Sequence, residues 1–131
     1  MIDENKIFKP SIDITQQLLK NFTGENTSKT NDFNKIIEYL KSGKNGIIVN
    51  LLWNEQRDDK FYERHEIVLE KLEGNRIYFF NPLKTTNIKI GDVISGNNRG
   101  PKRRLEPHGF ESMEISTLQN IFNQGNALAL I

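Results

Sequence analysis

The chain has 131 residues, a formal net charge of +1 and no cysteine. This length predicts one domain over residues 1–131, and the near-zero charge argues against a chain-wide attraction to nucleic acid or anionic membranes. The absence of cysteine excludes disulfides, thiolate metal ligands and a thiol nucleophile. No apolar run approaches the roughly 20 residues of a membrane-spanning helix, and the N-terminus lacks the apolar segment of a signal peptide. We expect a soluble domain, and no compartment is indicated.

Two amphipathic helices are predicted in the first third of the chain. The stretch "PSIDITQQLLKNF" starts with Pro10, which suits a helix entry, and places Ile14, Leu18 and Phe22 at i, i+4 and i+8. The polar stretch "TGENTSKTN" predicts a loop. A second helix, "DFNKIIEYLKSG", follows with its apolar residues on one side and Gly43 just past its end.

The rest of the chain predicts strands and one late helix. "GIIVNLLW" is an apolar run typical of a central strand buried on both faces, and "HEIVLEKLEGNRIYFFNP" predicts a hairpin. "TTNIKIGDVI" predicts a short edge strand, "SGNNRGPKRRLEPHGFES" an irregular polar segment, "MEISTLQNIFNQG" a helix and "NALALI" a closing strand. The predicted fold class is α+β, with the N-terminal helices packed on one side of a mostly antiparallel sheet.

The hairpin raises a question of geometry, because His65 opens one apolar run and Asn81 closes the other. Side chains alternate along a strand, so these two share a face only when the numbers of opposed residues add to an even value. A three-residue turn at 72–74 or 73–75 gives an even value, and a two-residue turn at 74–75 gives an odd one. The sequence leaves both registers open, and Asn-Pro at a strand end is also ordinary turn punctuation.

The order of these parts resembles the papain-like bacterial peptidases of the bacteriocin-processing kind. A helix, a second helix ending in "YLKSG", the strand "GIIVNLLW", a polar loop and "HEIVLEKLEGNRIYFFNP" follow one another as their counterparts do in that family. The resemblance covers residues 10–90, and its most specific part is 65–82. It implies a papain-like fold and a cysteine-peptidase-like domain.

The resemblance implies roles for individual residues. His65 matches the general base, and Asn81 matches the residue that holds one ring nitrogen so that the other faces the nucleophile. The family's nucleophile is a cysteine at the start of the first helix, where this chain reads "FKPSID". Ser11 therefore stands at the nucleophile position, although helix capping explains it equally well. Asn5 stands where a side-chain donor could stabilise an oxyanion.

Three explanations of the missing thiol stay open. The chain is a natural pseudoenzyme that keeps the scaffold for binding, or a thiol hydrolase in which Ser11 replaces the cysteine by design, or a serine hydrolase that uses Ser11 with His65. A serine hydroxyl lacks the low pKa of a cysteine paired with histidine, so a simple exchange usually removes most of the activity. We expect the chain as it stands to be inactive as a peptidase.

Other candidate sites have simpler explanations. Glu63, His65 and Glu66 suggest a metal site, but alternation puts Glu66 on the other face from His65, and we expect no metal and no cofactor. A short basic run can grip phosphate or an acidic protein surface, although it is more often a solvated loop; its members are Arg99, Lys102, Arg103 and Arg104. Aromatic residues close to His65 could line a cleft but more often belong to the core; these are Trp53, Phe61 and Tyr62.

Two function classes follow from the resemblance. The first is a papain-like hydrolase or acyl-transfer domain that acts on a polypeptide substrate and is present here without its thiol. The second is a catalytically inactive module that binds a polypeptide or protein partner within a toxin, an effector or a peptide-processing or transport machine. The alternative is an unrelated α+β interaction module, such as an immunity or adaptor protein. We expect no nucleic acid and no membrane insertion, and no oligomeric state is indicated.

Overall fold

The computed structural model describes residues 11–55, 62–82, 88–95, 100–125 and 127–131. Within these ranges the chain forms three helices and eight strands. The helices α1 to α3 are Ser11–Thr23, Phe33–Lys41 and Ile115–Gln124. The strands β1 to β8 are Lys29–Thr30, Ile47–Glu55, Tyr62–Glu73, Arg76–Phe80, Val93–Ile94, Arg103–Leu105, Phe110–Glu114 and Leu128–Leu130.

The eight strands form one antiparallel sheet in the order β1-β8-β2-β3-β4-β7-β6-β5. The predicted α+β class is confirmed. One face of the sheet, the core face, carries buried apolar side chains that include Val49, Leu51, Ile67, Leu69 and Phe79. Helices α2 and α3 pack on this face through Phe33, Ile36, Leu40, Leu118 and Phe122. Burial of each such side chain contributes roughly 1.5–3 kcal/mol, which makes this layer the main source of stability.

Helix α1 lies against the opposite face, which we call the outer face. Asp13 pairs with Lys29 at 2.6 Å, and Thr15 Oγ1 donates to Glu66 Oε1 at 2.7 Å. Glu66 precedes Ile67, whose side chain points into the core, so the Glu66 side chain leaves the sheet on the outer side. The two N-terminal helices therefore cover opposite faces, and the prediction that they share one side is wrong.

The apolar side predicted for α1 does not meet the sheet. Ile14, Leu18 and Phe22 are 56%, 48% and 83% exposed, whereas Ile12 is fully buried. The side turned toward the protein also carries Gln16, whose Nε2 donates to the carbonyl of residue 27 at 2.8 Å. The i, i+4 spacing correctly indicated a helix. The polar contacts of Asp13, Thr15 and Gln16 decide which side of α1 faces the protein.

The segment predicted to be irregular contains β6 and the start of β7. Leu105 of β6 lies opposite Glu111 of β7, and β7 pairs with β4 on its other side. The local sequence of β6 and β7, which is charged and flanked by Gly and Pro, does not predict strands. These strands are stabilised by pairing with residues that are distant in the sequence. The short strand β5 forms an edge of the sheet, as predicted.

The hairpin of β3 and β4 is confirmed, and its turn has two residues. Glu73 lies opposite Arg76, with Gly74 and Asn75 between them. Gly74 has φ of +60°, the conformation that the first central residue of a type II′ turn requires. Next to the turn, the residue numbers of each opposed pair therefore add to an odd value. If this register continued along the strands, His65 and Asn81 would lie on opposite faces of the sheet.

A β-bulge in β3 reverses this parity. The ladder shifts between Leu69 and Lys71, so Glu70 has no opposed residue on β4 and Leu69 faces Phe79. Beyond the bulge the numbers of opposed residues add to an even value. His65 and Asn81 consequently emerge on the same face, because one extra residue moves every later side chain of a strand to the other side.

We predict that deletion of Glu70 preserves the fold. The deletion removes only the unpaired residue and leaves each pair on both sides of it unchanged, so the free energy of unfolding should change by less than about 1 kcal/mol. Deletion of Val68 is the control, because it must turn buried side chains such as Ile67 outward or bury Glu70. That variant should lose at least about 3 kcal/mol in urea unfolding. Equal losses in the two variants would contradict the role given to the bulge.

Candidate functional site

His65 and Asn81 form a buried hydrogen bond on the core face. The distance from His65 Nε2 to Asn81 Oδ1 is 2.6 Å, and both side chains are buried. Asn81 directly follows β4, so the hairpin brings together two residues that are 16 positions apart. The prediction that the imidazole lies close to the Asn81 side chain is confirmed.

The direction of this hydrogen bond follows from the other end of the Asn81 amide. Asn81 Nδ2 lies 3.3 Å and 3.2 Å from the two carboxylate oxygens of Glu111. A carboxylate accepts hydrogen bonds, so the amide nitrogen must face Glu111 and the amide oxygen must face His65. His65 Nε2 is therefore the donor, and Nδ1 is the nitrogen that can accept a proton or bind a partner.

Glu111 also forms an ion pair with Arg103. Arg103 Nε lies 2.5 Å from Glu111 Oε1, and the side chains of the two residues are 3% and 4% exposed. Arg103 Nη1 donates to the carbonyl of Pro101 at 3.1 Å. A carboxylate buried to this extent is stable only with a cation and hydrogen-bond donors around it, and Arg103 and Asn81 supply them.

Trp53 closes the site from the side of β2. Its ring lies edge-on to the imidazole of His65, with 4.9 Å between the centroids, and the guanidinium carbon of Arg103 lies 4.9 Å from the ring centroid. Gly100 packs so closely that a Cβ atom there would lie 2.3 Å from Trp53 Nε1. Trp53 therefore contacts both the imidazole and the guanidinium.

These side chains come one each from five neighbouring strands or strand ends. We call them the His65 cluster: Trp53 of β2, His65 of β3, Asn81 after β4, Glu111 of β7 and Arg103 of β6. The contacts follow the strand order β2-β3-β4-β7-β6 from the indole to the guanidinium, and the cluster closes on itself because Arg103 also contacts Trp53. The cluster can hold an imidazole in one tautomer, which is what a general base or a fixed hydrogen-bonding group requires.

The structure does not bring the first helix to this cluster. Helix α1 begins at Ser11 and contacts the outer face, so the prediction that the imidazole points toward the start of that helix is wrong. The side chain of Ser11 is not among those that the structure describes. Asn5 lies outside the described residues, as does Phe61.

From the sequence, Glu111 was not identified as a site residue, and Arg103 was noted only as a member of a short basic run. Glu111 and Arg103 lie in the segment predicted to be irregular, where a charged residue is normally solvated. The residues Glu111, Ser112 and Met113 form only a weak strand pattern. All three are buried, so both faces of β7 are covered, but the neighbouring sequence does not show this. Only the pairing of β6 and β7 with β4 reveals that these charges are internal.

Comparison of the chain with protein-family models, curated proteins and solved structures finds no match. Within the described residues, no helix is long and apolar enough to cross a membrane. The same part of the chain contains no group of three His, Asp or Glu side chains that could hold a metal ion.

We predict that Glu111→Gln destabilises the protein by about 3–5 kcal/mol, because it leaves the buried Arg103 guanidinium without a counter-charge. Chemical unfolding followed by Trp53 fluorescence measures this change. Replacing both partners with apolar residues, Glu111→Leu with Arg103→Met, should recover part of the loss.

The exposed pair of Lys71 and Glu73, whose side chains are 59% and 65% exposed, provides the control. Glu73→Gln should cost less than about 1 kcal/mol. If Glu111→Gln were as mild as Glu73→Gln, the ion pair of Glu111 would not be a structural requirement.

Proposed function

We propose that this chain is a catalytically inactive, polypeptide-binding domain of papain-like origin, which keeps the base and its orienting residue but has no nucleophile. The proposal is supported above all by the hydrogen bond from His65 to Asn81. In the resembling peptidases the matching pair orients the general base. The buried ion pair behind Asn81 fixes the amide, so the tautomer of His65 is controlled as catalysis would demand.

The absence of a nucleophile supports the inactive form of this proposal. The chain contains no cysteine, and the helix that begins at Ser11 contacts the face of the sheet opposite to His65. A hydroxyl must come within hydrogen-bond reach of the base to be activated, about 2.6–3.2 Å between heavy atoms. The printed side-chain contacts of this helix, those of Asp13 and Thr15, are made on the face of the sheet opposite to His65.

Exposed apolar residues on α1 support a role in binding. Ile14, Leu18 and Phe22 form one stripe along the helix, and each is at least 48% exposed. Scattered apolar residues are normal on a surface, but a row at i, i+4 and i+8 is the pattern with which a helix contacts another polypeptide. We define these three residues as the α1 stripe.

The second candidate is an α+β interaction module unrelated to the peptidases, such as an immunity or adaptor protein. The position of α1 on the outer face favours this second candidate. In the papain-like peptidases the first helix carries the nucleophile and would have to lie next to the imidazole. In this candidate the His65 cluster is a buried polar network that fixes the register of five strands. Both candidates lack catalysis, and they differ in whether the pair of His65 and Asn81 descends from a catalytic pair or serves only to hold the strands together.

We predict no peptide hydrolysis by the chain, and none by Ser11→Cys. The thiol introduced at residue 11 should have the same pKa with His65 present and in the double variant with His65→Gln, because the imidazole is on the other face. Thiolate absorbance as a function of pH measures this pKa, and fluorogenic peptides measure turnover. Hydrolysis by Ser11→Cys that disappears with His65→Gln would overturn the inactive-module proposal.

We also predict that the α1 stripe binds extended polypeptide. A reduced and alkylated unfolded protein serves as the probe, with binding followed by fluorescence anisotropy. Phe22→Glu should weaken binding at least about tenfold, since it places a charge at the centre of an apolar contact. Ile90→Glu is the matched control, because Ile90 is 66% exposed and lies outside the stripe. Equal binding by the two variants would remove the stripe from the proposal.

A further inference from the structure

A pocket of about 180 Å³ opens where β6 begins, β7 ends and α3 begins. Four cationic side chains line it, namely Arg76, Lys102, Arg103 and Arg104. Val93, Glu114 and Thr117 complete the lining. The pocket shares only Arg103 with the His65 cluster, so its chemistry is independent of the proposed function.

Two of the cations are neutralised from outside the pocket. Arg103 pairs with Glu111, and Arg104 Nε lies 2.5 Å from Glu106 Oε1. Neither carboxylate lines the pocket. Burial raises the pKa of Glu106, but hydrogen bonds from Arg104 and Ser112 outweigh it, so the net pKa lies below its ordinary value. Glu106 is therefore ionised at neutral pH and fixes the position of Arg104.

The other two cations form no ion pair within the described part of the chain, although Glu106 interacts electrostatically with Arg76 and Glu114 lies opposite Arg76 on β7. Arg76 donates from Nε and Nη2 to the hydroxyl and carbonyl of Ser112, at 3.0 Å and 3.1 Å. Lys102 is exposed at the rim and forms no ion pair with a described residue. Among the described lining residues, Glu114 is the only carboxylate, and it is exposed. The pocket thus has a positive excess, and Arg76 is held in place by neutral acceptors.

The start of α3 adds to this positive potential. Glu114 is the N-cap of α3, and its side chain makes no capping hydrogen bond. Thr117, in the first turn, also lines the pocket. The N-terminal end of a helix carries a partial positive charge that favours an anion nearby, although the Ile115 N–H already donates to the Asn75 carbonyl at 2.9 Å.

We propose that this pocket binds the phosphoryl group of a phosphate monoester. The volume is below the roughly 300–1,000 Å³ of sites that enclose a whole small ligand, so the pocket accommodates one group and leaves the rest of the ligand outside. Arginines of β4 and β6 and the first turn of α3 together line the pocket, so several hydrogen-bond donors lie around one small volume. This arrangement suits a tetrahedral oxyanion with several acceptor oxygens better than a planar carboxylate.

NMR titration of the ¹⁵N-labelled chain tests the proposal. The probes are inorganic phosphate, phosphoserine, and aspartate as the carboxylate control, each compared with sodium chloride at equal ionic strength. Phosphate and phosphoserine should shift the amides of residues 102–104 and 115–117, and aspartate should bind at least tenfold more weakly. Equal shifts with sodium chloride or aspartate would overturn the proposal, because they would show only general charge screening or anion attraction.

Variants separate the pocket from the net charge of the protein. Lys102→Met and Arg76→Gln should each weaken phosphoserine binding at least tenfold, whereas Lys41→Met, which removes one charge at the end of α2, should not. Lys102 is exposed, so its replacement tests the pocket even if Arg76→Gln disturbs β7. Phosphoserine binding that is the same in Lys102→Met and Lys41→Met would overturn the proposal.

A phosphoserine peptide and its unphosphorylated form identify the source of the phosphoryl group. Tighter binding of the phosphopeptide than of free phosphoserine would assign the pocket to a phosphorylated protein. Binding confined to phosphate and phosphoserine would assign it to a small phosphate monoester. Both results require loss of binding in Lys102→Met, and the absence of binding by every phosphate probe would reject the site.

Discussion

The carboxylate of Glu111 is the group on which the arrangement of the site depends. It accepts from the Asn81 amide on one side and from the Arg103 guanidinium on the other. Its charge determines which way the amide of Asn81 is turned and therefore which nitrogen of His65 carries the proton. In a buried site such an ion pair adds little net stability, but its loss is costly because one charge stays behind. Glu111 thus fixes geometry more than it adds to the free energy of folding.

The sheet places the five side chains of the His65 cluster on neighbouring strands, so that each lies next to the following one. Alternation brings one residue of each strand to the core face, and antiparallel pairing keeps neighbouring residues within a few ångströms. The bulge at Glu70 is necessary for this row. Without an extra residue, a two-residue turn at Gly74 would turn His65 away from Asn81. A bulge next to a polar cluster is a common means of redirecting side chains at a site.

The placement of α1 determines which side chains can approach His65. The core face is already filled by α2 and α3, whose apolar residues pack on the sheet. Helix α1 covers part of the outer face, where it is held by polar contacts of Asp13 and Thr15. The imidazole therefore has an orienting partner but no described hydroxyl from the first helix.

The sequence determined the features that depend on short-range chemistry. The period of the apolar residues predicted α2, α3 and the hairpin, and Gly74 marked the turn. It also identified His65 and Asn81 as a pair, although it left open whether they share a face. Only the tertiary structure decided that question, because parity depends on a single unpaired residue, Glu70, that no local pattern reveals. The buried roles of Glu111 and Arg103, and the outward turn of Ile14, Leu18 and Phe22, were likewise decided by strands and helices distant in sequence. Burial is a property of what packs against a residue, and the sequence pattern describes only the residue and its neighbours along the chain.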